Sequence, residues 1–251
     1  MNRVLPALIL AALLAVPLVT APAGGPAEPI GGKSSGSVDS LARLLTKYNI
    51  AVFTKGPNFA TSTPEQMKER AAGFKKSVAA LVESGTLVGA VQVHDAPEAQ
   101  YIYFFKTESL DQVSAIASGA PNVAAGVFKP VVSTVWGTRG LGKKYRADAK
   151  TKEDLHMVIF SKGSSWRDQN DAETREKVSE ATDYVWNAYK NGGVRFFAMP
   201  EEKAANIRLL IIGKGKSLKN VADAVNATTS VKSGWFKAEV FKVTVLEGIL
   251  P

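Results

Sequence analysis

The chain of 251 residues contains no cysteine. Disulfides, thiolate nucleophiles and cysteine-ligated metals are excluded, so core packing alone must hold the fold. Histidine is nearly as scarce, with His94 and His156 the only two. A metal site built on several imidazoles has no raw material, and no cofactor is expected. No Gly-x-Ser-x-Gly elbow occurs, which leaves serine hydrolysis of that type without support. Beyond the N-terminus, no apolar run approaches the roughly 20 residues that a membrane-spanning helix needs.

The N-terminus itself is distinctive. Met1-Asn2-Arg3 supplies one positive charge, and Val4 to Val19 is apolar except for the breaks at Pro6 and Pro17. Ala21-Pro22-Ala23 then offers a small-x-small cleavage signature. Together these read as a secretory signal peptide over residues 1–23, which makes the protein secreted or periplasmic. The alternative is an uncut anchor, for which 16 residues with two prolines are short. Residues 24–38 are rich in Gly, Pro and Ser and read as a flexible linker. No membrane span is expected after cleavage.

Apolar residues make up 45% of the chain, enough for a sizeable core. The formal charge is +8, and removing residues 1–23 takes away only Arg3, leaving +7. The lysines and arginines are scattered, with no dense basic block interleaved with aromatics. That pattern is a solvated basic surface, and no nucleic-acid partner is expected.

The phrase "FTKGPNF" at Phe53–Phe59 returns as "FSKGSSW" at Phe160–Trp166, 107 positions later. The same offset places Ser84-Gly85 on Asn191-Gly192. With one inserted position, Ser109-Leu110 falls on Ser217-Leu218 and Gly126 on Gly234. Landmarks kept in order at one offset indicate an internal duplication. Each copy reads as β-α-β-β-α-β. In the first, Tyr48–Thr54 is a strand, and Thr63, Pro64 and Gln66 open a helix as N-cap, N1 and N3. Gly85 ends that helix. Leu87–Val93, Tyr101–Phe105 and Val127–Val135 follow as strands, with Pro130 marking an edge or a bulge. Ser109 caps a second helix, with Leu110, Val113 and Ile116 inward. In the second copy Ser217 caps the matching helix, with Leu218, Val221, Ala222 and Val225 inward.

The expected fold class is α+β: two tandem ferredoxin-like (βαββαβ) repeats, residues 39–136 and 154–251, joined by a basic linker at 137–153. Each unit leaves one sheet face bare. The two are therefore expected to pack sheet to sheet as a pseudo-dimeric α+β barrel, open in shape. Such a chain is a monomer (a pseudo-dimer) or a homo-oligomer of it.

The first copy carries "ESG-TL" at Glu83–Leu87 and "TESLDQVSAIASGAPNVAAGVF" at Thr107–Phe128. On these stretches the chain resembles the YCII-related family of small dimeric α+β-barrel proteins, across almost all of its folded part. The resemblance implies an active pair, a His on the long helix and an Asp just before a Pro-containing segment. The His position falls on Phe74 and Ala181, and the Asp position on Ala120 and Thr228. Neither copy keeps either residue, so the acid–base chemistry of such a pair is lost.

Lys55 and Lys162 follow the first strand of each copy, where an anionic ligand could be met; the plainer reading is that glycine makes the turn while lysine stays in water. Phe59 and Trp166 come next and could wall a cleft or lid the local core. "GTRGLGK" at Gly137–Lys143 matches the start of a phosphate loop, but Lys144 stands where Ser or Thr should hold magnesium. It reads as a flexible connector. "GKGKS" at Gly213–Ser217 could receive an anion on backbone amides, or be a turn and an N-cap serine. His94 beside Asp95 reads as a turn, and His156 as a structural strand residue. Trp136, Trp186 and Trp235 are expected to cover core or the seam between copies.

The leading expectation is an exported protein, non-catalytic or with a degenerate active site, that binds a small apolar-bodied molecule, anionic or neutral, in the barrel cleft, using Lys55, Phe74, Lys162, Trp166 and Ala181. The alternatives are an enzyme of lyase or monooxygenase type using other residues in that cleft, and an envelope interaction protein without ligand.

Overall fold

In the computed structural model, the described residues are 43–96, 99–107, 109–143, 152–167, 171–202, 206–246 and 248–251. The signal segment 1–23 and the linker 24–38 lie outside them.

Local sequence sets the elements where it is explicit. Thr63 accepts from the Gln66 N–H, and the Gln66 side chain accepts from the Thr63 N–H. With Pro64 in the first turn, this capping box opens helix α1 (Pro64–Glu83). The chain leaves it through Gly85 at a φ of 70°. Strand β1 (Leu45–Lys55) precedes α1, and β2 (Leu87–Val93) and β3 (Ala99–Phe105) follow. Then come α2 (Leu110–Ser118), α3 (Pro121–Ala124) and β4 (Phe128–Thr138). The second half repeats the order: β5 (Lys152–Lys162), α4 (Ala172–Lys190), β6 (Val194–Pro200), β7 (Ile207–Gly213), α5 (Leu218–Asn226), α6 (Thr229–Lys232) and β8 (Phe236–Leu246).

The eight strands form one closed barrel in the order β1-β3-β2-β8-β5-β7-β6-β4. The expected open shape is corrected here. Two sheets merely stacked face to face would each leave edge strands with unpaired backbone groups. Instead β2 pairs with β8 through Val91–Val245, Gln92–Thr244 and Val93–Val243. On the opposite side β4 pairs with β6 through Val135–Pro200, Trp136–Met199 and Gly137–Ala198. Pro130 sits in the part of β4 beyond that seam, where its missing N–H costs no ladder bond.

Strand alternation sorts side chains to two faces. Tyr48, Ile50, Phe104, Met157, Phe196 and Val243 fill the barrel interior. Phe196 of the second half meets Phe104 and Tyr48 of the first, with ring centroids 5.1 and 6.4 Å apart. The interior is packed apolar core, so the expected ligand cleft is not there. The helices cover the outer faces, making one outer core with Phe53, Tyr103 and Phe105, another with Phe160, Val185 and Phe197.

The repeated phrase is a docking device. Gly56 N–H donates to Val127 O at 2.7 Å, and Gly163 N–H to Trp235 O at 2.9 Å. At either glycine a Cβ would collide with the carbonyl oxygen of Gly126 or Gly234, so only glycine lets the turn lie against the last strand's start. Phe59 and Trp166 then pack on Phe128 and Phe236.

Three further expectations change. Residues 137–153 are not a free linker throughout. Gly137 and Thr138 complete β4, Lys152 and Glu153 open β5, and residues 144–151 lie outside the described set. Between them Leu141 is buried in the barrel core, and Gly142 N–H donates to Ile249 O at 2.8 Å. The phosphate-loop look-alike is thus a strand end and a packed turn. Leu110 and Leu218, expected inward, are 40% and 43% exposed. Each is the first helical residue after its serine cap, before the helix meets the sheet; Val113, Ala117 and Val225 make the buried contacts. Of the tryptophans, Trp136 lies at the β4–β6 seam and Trp235 in the second outer core, while Trp186 stacks on Tyr189.

Candidate functional site

Helix α4 crosses the outer face of the second half's sheet. Asp171 caps it by accepting from the Thr174 N–H at 2.9 Å, and Val178 and Val185 anchor it on the strands. Alanine at 181 and threonine at 182 leave the sheet uncovered between those anchors. The result is a cleft of about 310 Å³ lined by Phe160, Glu180, Ala181, Tyr184, Leu209 and Thr228 among others, with the Glu180 carboxylate its one charged group. It adjoins a smaller cavity of about 30 Å³ that shares Ala181, Val185 and Leu209 with it. Around that cavity stand Trp166, Thr182, Phe197, Met199 and Arg208.

Arg208 is the one charged residue lining the small cavity, and only 5% of it is exposed. A β-bulge accounts for its aim. Pairing of β5 with β7 steps from Phe160–Leu209 to Ser161–Ile207, leaving Arg208 as the extra residue. A bulge re-aims the side chain it carries. Here it turns a guanidinium toward the helix side, where it lies 5.5 Å from the Trp166 ring centroid. Burial lowers the Arg208 pKa from its ordinary value, yet guanidinium stays cationic at neutral pH. Sequence reading missed this residue. Its signal was present: a single charge inside Ile207-Arg208-Leu209-Leu210-Ile211-Ile212.

The first half has the same bulge with other chemistry. There the register steps from Phe53–Tyr101 to Thr54–Ala99, leaving Gln100. Its amide donates to Ala96 O and Ala99 O. The matching cleft, about 290 Å³, is lined by Phe53, Val78, Leu81, Tyr103, Phe105 and Ala120 among others, with no charged residue. Burial raises the Tyr103 phenol far above its ordinary value, with Tyr101 adding to the shift, so the phenol stays neutral. The second half differs by Arg208 in its small cavity and by Glu180 at its larger cleft.

The sequence-derived candidates divide accordingly. Trp166 and Ala181 both line the second-half cavity. Ala181 and Thr228, the positions of the implied acid–base pair, share one cleft, and neither carries an acid or a base. Phe74 lies in α1, but its side chain is outside the described residues. Lys55 and Lys162 end β1 and β5 and line none of these clefts. Lys55 is exposed over the Phe59 ring at 5.1 Å. The lysines are displaced because the clefts lie under the helices rather than at the strand-end loops. His94 bonds Thr244 Oγ1 at 2.8 Å rather than Asp95, and Thr244 donates to Asp154 at 2.8 Å across the β2–β8–β5 seam. Among the described residues no group of three His, Asp or Glu is placed to hold a metal, and no helix is long and apolar enough to cross a membrane.

No known family's sequence profile matches the chain, and no curated protein is similar to it in sequence. Solved structures are similar in fold. A structure titled as a candidate chlorite dismutase has a TM-score of 0.51 at 10% identity, covering 82% of this chain and 94% of its own. A chlorite dismutase mutant from Candidatus Nitrospira defluvii follows at 0.49 and 11%, covering 81% and 92%. A candidate monooxygenase from Lactobacillus acidophilus scores 0.47 at 12%, covering 82% and 95%. At these identities the likeness is one of architecture. The chain folds as an α+β protein with a closed, antiparallel eight-stranded barrel of the kind seen in chlorite dismutase-like structures.

Proposed function

We propose that this protein binds a small, apolar-bodied monoanion in the cleft beneath α4, with Arg208 holding the anionic head. The carrying observation is one buried guanidinium facing an otherwise apolar pocket. The division of space supports it. The roughly 30 Å³ beside Arg208 suits a carboxylate-sized head, and the adjoining 310 Å³ or so suits an aromatic or branched body. The Trp166 ring lies 5.5 Å from the guanidinium and Ala181 keeps the body's place open. The binding is non-catalytic in this reading, because the implied pair positions hold Ala181 and Thr228. Export behind residues 1–23 and kinship with the YCII-related family belong to the same proposal. So does origin by duplication of a ferredoxin-like unit, supported by matching bulges, glycine docks and serine caps in both halves.

Thermal melting with a panel of aromatic and branched monocarboxylates tests the proposal. At a hundredfold excess over Kd a true ligand stabilises by about 2.7 kcal/mol, or roughly 5–10 °C in a domain of this size. No shift with any acid of this class would overturn it. The second reading, an oxidative enzyme on the same barrel, draws on the chlorite dismutase-type neighbour. Turnover of an added oxidant that is lost with the cleft residues would favour it.

A further inference from the structure

The two halves differ at a second matched pair of positions, and the difference leaves a polar atom without a partner. In the first half Asn49 pairs with Phe105 and Thr134 in the sheet. Its side chain is buried and fully used. Nδ2 donates to Thr107 O at 2.7 Å, and Oδ1 accepts from Thr134 Oγ1 at 2.7 Å. Asn49 thereby fastens the loop that leads into α2.

His156 holds the matching place in the second half, paired with Gly213 and Lys242. It fastens nothing. Its Nδ1 is enclosed and has no hydrogen-bond partner. Lys242, the counterpart of Thr134, turns instead to Asp154 at 2.9 Å. Gly213 pairs with His156, Gly215 lies against the imidazole, and beside this contact is a cleft of about 260 Å³. His156, Tyr184, Lys214, Lys216 and Asn220 provide its polar lining, over an apolar floor that includes Val158 and Val221. No carboxylate lines it. Among the described residues neither Lys214 nor Lys216 is ion-paired. A Cβ on Gly215 would run into the Val221 side chain and lie 3.1 Å from His156 Nδ1, so only glycine lets the loop pack this closely on Val221 and the imidazole. The helix end is not the receptor, because Ser217 Oγ already accepts the Asn220 N–H at 3.1 Å.

We infer that this cleft is a second binding site, for a phosphate-class dianion. Lys214 and Lys216 supply two positive charges, against the single one of Arg208. In its Nδ1–H form His156 is a donor lacking an acceptor, and a phosphate oxygen supplies one. The inference stands apart from the reading of the Arg208 cleft.

With only two histidines in the chain, imidazole ¹⁵N resonances report the site directly. The full chain labelled in histidine is titrated with inorganic phosphate and with phenyl phosphate, at constant ionic strength held by chloride. A saturable shift of the His156 Nδ1 signal, with His94 unmoved, is expected. The Lys214→Ala/Lys216→Ala variant, altered only on an exposed loop, should bind at least roughly tenfold more weakly, the scale of a lost charge-assisted bond. His156→Asn, which installs the first half's residue, should abolish phosphate-dependent stabilisation, whereas Arg208→Met should bind phosphate as the wild type does. No saturable shift, or a shift that saturates at the same phosphate concentration in the double lysine variant as in the wild type, would overturn the inference.

Discussion

Arg208 is where one residue changes what the molecule can do. Both halves carry the same bulge, but Gln100 spends its amide on neighbouring carbonyls while Arg208 brings charge to an apolar pocket. Arg208→Met should abolish stabilisation by monocarboxylates while leaving the unliganded fold intact by circular dichroism. Arg208→Lys should also bind at least roughly tenfold more weakly, since an ammonium lacks the planar fork of the guanidinium. Ala181→Phe, which places in the second half the residue found at 74, should fill the cleft and block binding with little loss of melting temperature. At this scale the sequence was partly legible. Trp166 and Ala181 could be found from the repeat and the family resemblance. Arg208 could not, because its aim depends on a bulge formed where β7 pairs with β5, a strand far earlier in the chain.

At the scale of elements, caps and stripes were legible and packing depth was not. Thr63, Pro64 and Gln66 formed the predicted capping box. Thr63→Ala should cost about 1 kcal/mol, a fall of roughly 2–4 °C in Tm. Asp171 caps α4 through the Thr174 N–H, which is the largest influence lowering its pKa. The sign follows from linkage. A carboxylate with a depressed folded pKa contributes stability above its unfolded pKa, about 3.9, and loses it as pH falls through the folded value. Asp171→Asn keeps a capping oxygen without the titration, so its acid unfolding curve should be flatter than the wild type's below about pH 4. Leu110 and Leu218 show the limit of periodicity, since apolar spacing cannot tell which turn of a helix reaches the sheet.

For the whole molecule, the recurring sequence landmarks pointed to a barrel, but its closure came from pairing that no local pattern specifies. The seams use three register pairs each, and their strands lie far apart in sequence. Phe196 belongs to the second half and packs on Tyr48 and Phe104 of the first, so the halves share one interior. Phe196→Ala should cost about 3–5 kcal/mol, and unfolding should stay a single transition by fluorescence and circular dichroism alike. Two separated transitions in the wild type would mean that the halves stand independently. The shared interior also explains why the clefts lie outside the barrel, under the helices.

Calorimetric titration of the wild type and Arg208→Met with one aromatic monocarboxylate and its neutral primary amide separates charge recognition from simple apolar filling. Specific binding of the acid to the wild type, at least roughly tenfold tighter than the amide and lost in the variant, is the predicted result. Equal binding of acid and amide, or acid binding unchanged in the variant, would contradict it.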